Sequence, residues 1–93
     1  MNILRIDTSS NKEVVVGLKI NKIEYAIQKQ INHQKAQAVL PLVEKMLKKH
    51  NLSVGDIQSI EVSPGPGSFT GIRVGMAIAN ALALALKIPV KKI

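Results

Sequence analysis

Cysteine is absent from the 93 residues, which rules out disulfides and thiolate metal sites and fits a reducing compartment. Tryptophan is absent as well, and Tyr25 and Phe69 are the only aromatic residues. The stacking platforms that hold single-stranded nucleic acid are therefore missing, and a core must be built from Ile, Val, Leu, Ala and Met. Acidic residues are scarce. Six Asp plus Glu stand against 13 Lys plus Arg, leaving a formal charge of +7. Such an excess favours weak, salt-sensitive attraction to RNA or to an acidic partner, and serves equally as plain solubilising charge. A signal-peptide layout is missing, since Arg5 interrupts the short apolar run at the N-terminus. The longest apolar stretch, Val74 to Leu86, is broken by Asn80 and falls short of the ~20 residues of a membrane helix. The chain is expected to be soluble and cytoplasmic, without a membrane partner.

At this length one domain over 1–93 is expected, and 46% hydrophobic residues suffice to fold it. Residues 2–7 form a short apolar run ending in Asp7, followed by the polar cluster Thr8 to Lys12: a strand, then a turn. Val14, Val15, Val16 and Leu18 run on without a polar break, as in a central strand covered on both faces. After Asn21-Lys22, Ile23, Tyr25 and Ile27 alternate with Glu24, Ala26 and Gln28, predicting a half-exposed strand towards a sheet edge. From His33 to His50 the period becomes helical, with Pro41 expected to kink the helix and Asn51 to stop it. Ile57, Ile60 and Val62 predict a fourth strand. A glycine- and proline-rich turn follows, then a helix to about Leu86 capped by Ser68 or Thr70, and a fifth strand opening at Ile88-Pro89-Val90. The expected class is α/β, in the order βββαβα(β).

Three features carry chemistry or contact. The segment Gly65 to Gly71 fails as a Walker A loop, because Ile72-Arg73 stands where Lys and Ser or Thr belong, and it fails the dinucleotide spacing. What remains is either backbone N–H groups offered to an anion by Gly65, Gly67 and Ser68, or a structural strand-to-helix turn. Asp7 with Thr8 and Ser9 is either a phosphate and Mg²⁺ site or a turn. The last helix carries Gly71, Gly75, Ala79 and Ala83 at four-residue intervals and is apolar almost all round. With Met76, and with Ala38, Leu42 and Met46 on the other helix, this row is the expected partner interface, unless the two helices satisfy each other. No acid, base or nucleophile set surrounds Asp7, His33 and His50 lack ligand spacing, and catalysis by this chain alone and a resident metal are not expected. Lys45, Lys48, Lys49, Lys87, Lys91 and Lys92 could meet tRNA weakly.

The strings Asn2 to Ser10, Val39-Leu-Pro-Leu-Val43 behind His33, and Gly65-Pro-Gly-Ser-Phe-Thr-Gly-Ile-Arg-Val-Gly75 together resemble the TsaB (YeaZ) family. The related TsaD has a paired-histidine metal motif that this sequence lacks. The resemblance implies an actin-like ATPase half-domain of the ribonuclease-H-like type, with the second half absent from these 93 residues. It implies a non-catalytic scaffold in tRNA threonylcarbamoyladenosine biosynthesis that pairs with a TsaD-like protein, works beside a TsaE-like ATPase, and forms a homodimer when alone. Asp7 aligns with the phosphate-loop Asp of actin-like ATPases, but the glycine that usually follows it is absent. No cofactor is expected in the chain itself, ATP and Mg²⁺ entering only at the level of a complex; the alternative is a nucleotide-binding or ATP-hydrolysing half-domain.

Overall fold

The computed structural model describes residues 1–31 and 35–93. Strands β1 (Asn2–Asp7), β2 (Glu13–Ile20) and β3 (Ile23–Gln30) form an antiparallel meander. Helix α1 (Lys35–Lys49) leads to β4 (Ser59–Val62), and helix α2 (Phe69–Leu86) leads to β5 (Val90–Lys92). Both of these strands are parallel to β1, giving the sheet order β3-β2-β1-β4-β5. The element order matches the expectation from sequence; a short 3-10 turn over Val54–Asp56 precedes β4. The predicted start of α1 at His33 lies outside the described residues.

Alternation decides which face of the sheet is dry. Leu4, Ile6, Val14, Val16, Leu18, Ile60 and Val62 point one way and are buried under both helices. The helix α1 covers β2 and β3, and α2 covers β4 and β1. Helix α1 continues unbroken through Pro41. Pro41 and Gln37, whose carbonyl lacks its usual donor, are both on the exposed side, so water can satisfy what the proline removes. Asn51 adopts a left-handed conformation and ends the helix as expected.

The expectation that β2 is covered on both faces is corrected. Its second face, with Val15, Gly17 and Lys19, is only partly covered, and Arg5 of β1 lies across it. The Arg5 guanidinium pairs with Glu61 on β4 at 2.5 Å and with Glu24 on β3 at 2.6 Å. To reach Glu24 it must cross β2, and Gly17 is the residue beside it in register. A Cβ at Gly17 would stand 3.3 Å from both the Arg5 Cβ and the Tyr25 carbonyl oxygen. Gly17→Val is therefore expected to cost about 1–3 kcal/mol through overpacking, readable by urea denaturation beside the wild type. β3 is an edge strand as predicted, though almost wholly exposed rather than half exposed.

Candidate functional site

Two places hold the residues singled out from sequence. The first is the junction where β1 ends beside the start of α2. Thr8 is buried, its hydroxyl donates to the Gly71 carbonyl, and its own carbonyl accepts from Lys35 Nζ at 3.2 Å. Ser9 donates to the Asp7 carboxylate twice, through N–H at 2.9 Å and Oγ at 2.6 Å. The Ser9 carbonyl in turn accepts from the Ser68 N–H at 2.7 Å and lies against Gly67. Ser68, one of the two caps expected from sequence, caps α2, its Oγ accepting from Gly71 N–H at 3.1 Å. Gly65, with a left-handed φ of 106°, turns the chain ahead of it.

The structure thus brings Asp7, Thr8, Ser9, Gly65, Gly67 and Ser68 together, as a phosphate site requires, but joins them chiefly to one another. The N–H groups of Ser9, Ser68 and Gly71 and the hydroxyls of Thr8 and Ser9 already have protein acceptors. An anion would have to compete with those bonds, each worth about 0.5–1.5 kcal/mol net. Among the described residues no three His, Asp or Glu side chains come together. Ser68→Ala should destabilise the chain by about 1 kcal/mol through loss of the cap, readable as a lower thermal midpoint.

The second place is the helical layer, and here the expected interface is corrected. Gly71, Gly75, Ala79 and Ala83 are the buried positions of α2, and they face the chain's own sheet and Thr8. Ala38, Leu42 and Met46 are likewise buried, in the core shared with β2 and β3. Of the eight residues expected to meet a partner, only Met76 retains appreciable exposure, on the flank of α2. A row of small residues permits close approach of any backbone, and in this fold the approaching element is β1 and the loop after it.

The surplus of apolar surface on α2 is nonetheless present, on the opposite side of the helix. Four of its 18 residues are buried, while Phe69 and Leu84 are 74% and 83% exposed and Ala77, Ala81 and Ala85 are exposed between or beside them. Arg73 lies over the Phe69 ring, 5.5 Å from its centroid. Leu40 of α1, also exposed, lines a groove of about 390 Å³ with Val43, Glu44, Leu47, Lys48, Leu52 and Leu82, on the side of α2 that faces α1. By length and composition α2 could cross a membrane, although its apolar stretch Val74 to Leu86 was expected to fall short of one; its buried row is packed on a sheet. Leu84, Leu40 and Ala77 were not singled out from sequence. Their signal was present only as the near absence of polar residues on α2, which does not say which side faces out.

A family model described as "TsaD: tRNA N6-adenosine threonylcarbamoyltransferase" matches residues 21–93. The "tRNA threonylcarbamoyladenosine biosynthesis protein TsaB" of Buchnera aphidicola subsp. Baizongia pistaciae is 37% identical over 94% of this chain and 39% of its own length. The structure of YeaZ from Pseudomonas aeruginosa, 29% identical, superposes with a TM-score of 0.91 over 99% of this chain and 43% of that one. RuvC of T. thermophilus, at 12% identity and a TM-score of 0.62, shares the fold alone, over 100% of this chain and 64% of its own. The chain spans about two-fifths of the length of the curated relatives it matches, 39% in the Buchnera protein. Its mixed sheet and two helices have the actin-like, ribonuclease-H-like fold. The chain belongs to the family that the matched model describes, and within it to the TsaB (YeaZ) branch.

Proposed function

We propose that this chain is a non-catalytic docking half of a TsaB-type protein, serving tRNA threonylcarbamoyladenosine biosynthesis by binding a TsaD-like protein through the outward face of α1 and α2. The observation that carries the reading is the large apolar side chains left exposed on the helical layer, Phe69 and Leu84 on α2 and Leu40 with its groove on α1. Large apolar side chains grouped on one layer and left in water favour a binding face. A scaffold role rather than a catalytic one is supported by the junction around Thr8, whose donors are spent on holding β1 to α2. A TsaE-like ATPase, with its ATP and Mg²⁺, then acts only on the assembled complex in the cytoplasm, and tRNA is met indirectly or weakly. Titrating a TsaD protein into the chain by calorimetry, with co-elution as the second readout, tests this. A saturable 1:1 complex is expected, and neither heat nor co-elution at tens of micromolar would overturn it.

The alternative, a nucleotide-binding half-domain, draws on one observation, the Asp7 carboxylate at a strand end beside the glycine turn. Calorimetry with Mg-ATP at millimolar concentration separates the two. No heat is expected; a heat that Asp7→Ala removes would favour the nucleotide reading.

A further inference from the structure

The sheet ends in two edges of different build. β5 offers three residues, of which Lys91 and Lys92 are charged. Shortness and charge are the usual means of keeping an edge from recruiting another strand. β3 offers eight residues, Ile23 to Gln30, without proline, and seven of them are exposed. Its pairing with β2 runs from Glu13 opposite Gln30 to Ile20 opposite Ile23 without a bulge. Its charged residues are Glu24, already tied to Arg5 at 2.6 Å, and Lys29. Which main-chain groups face out follows from the hairpin. Ile20 and Ile23 flank a two-residue turn, and the Ile31 N–H donates to the Lys12 carbonyl at 2.8 Å. Odd-numbered residues of β3 therefore bond to β2, and the N–H and C=O of Glu24, Ala26, Gln28 and Gln30 point away from the sheet. Among the described residues no strand lies beyond them.

A second β3, turned about a two-fold axis that passes Ile27 at right angles to the sheet, matches this edge residue for residue. Antiparallel pairing then sets Glu24 opposite Gln30 and Ala26 opposite Gln28, which uses all four outward residues of each copy. On the helix side of the sheet Ile27 meets its twin, Ile23 meets Ile31, and Tyr25 meets Lys29. Two of these are apolar pairs and the third sets a cation against an aromatic ring, so no charge meets its own sign. We infer that β3 is a self-complementary edge, and that two copies of this chain join through it into one continuous sheet. The axis leaves both helical layers on the same side and the outward face of α1 and α2 free on each copy. The inference is therefore independent of the docking face proposed above.

The test uses light scattering on the Leu84→Lys chain, whose charge on the outward helical face keeps that face from supplying the association. This chain should pair at hundreds of micromolar. Adding Ala26→Pro removes the N–H that would bond Gln28 of the twin, twice per pair, and should weaken pairing by at least about tenfold. Because that N–H takes no part in bonding to β2, proline is tolerated there and circular dichroism should show the fold unchanged. A second variant does not depend on proline. Ile27→Cys supplies the sole thiol of a chain without cysteine, and the twins would stand about 4.5 Å apart between Cα atoms, within reach of a disulfide. Oxidised Ile27→Cys should run as a covalent dimer, and Lys22→Cys, at the hairpin turn far from the axis, should not. A Leu84→Lys chain that stays monomeric, or that pairs equally well with Ala26→Pro, would overturn the inference, as would equal cross-linking at residues 22 and 27. A monomeric chain whose binding to a TsaD protein falls with Ala26→Pro would assign the edge to a strand of that partner, and would overturn self-pairing as well.

Discussion

Gly75→Leu is expected to lower the stability of the folded chain by more than about 3 kcal/mol, and so to leave much of it unfolded rather than merely unable to bind a partner. A Cβ at this position would collide with the Thr8 hydroxyl. Thr8 has nowhere to retreat, being buried, bonded through its hydroxyl to the Gly71 carbonyl and through its carbonyl to Lys35. Overpacking alone costs about 1–3 kcal/mol, and breaking the buried hydrogen bond adds about 1–3 kcal/mol. The two combine because the colliding atom and the donor are the same oxygen. Urea denaturation followed by circular dichroism reads the loss. A Gly75→Leu chain with an unchanged midpoint would mean that α2 is rotated about its axis from the orientation described here.

That substitution also marks the boundary of what the sequence makes legible. The strand and helix pattern could be read because alternation in β3 and the helical period of α1 are local signals, set by which side chains must leave water. Ser68 as the cap of α2 and Asn51 as the stop of α1 were legible for the same reason. The Gly71, Gly75, Ala79, Ala83 row was legible as a site of close approach, but not which element approaches. Thr8, which fills that place, is 63 residues from its hydrogen-bond partner Gly71, and no local pattern records such a contact. Residues almost all round α2 are apolar, so its periodicity is a weak guide to an inward side; small side chains chose it, because they let the helix settle onto β1, β4 and the loop at Thr8. The same distance problem hid the use of Arg5. A charged residue in an apolar strand looks like an exposed position until Gly17, Glu24 and Glu61 are placed around it. Asp7, Thr8 and Ser9 are neighbours in sequence, and what the sequence does not record is that the hydroxyls of Thr8 and Ser9 are bonded within the fold.

Leu84→Lys is expected to act in the reverse manner, leaving stability within about 0.5 kcal/mol of the wild type while weakening TsaD binding by at least about 30-fold, the loss typical of a contact worth about 2 kcal/mol. Leu84 is 83% exposed, so replacing it removes little from the core. Lysine is as good a helix former as leucine, and a cation in the last turn of α2, which has no basic residue of its own, suits the helix dipole. What changes is the proposed docking face. A charge would replace the largest exposed aliphatic side chain of the row, and covering it with a partner would require desolvating an ammonium group without a dedicated counter-charge. Thermal denaturation and calorimetric titration with a TsaD protein measure the two quantities on the same sample. Because Gly75 and Leu84 lie on opposite sides of one helix, the pair of results is more telling than either alone: stability should follow the first and association the second. If Leu84→Lys bound TsaD as tightly as the wild type while keeping its fold, the outward face of α2 would not be where the partner sits.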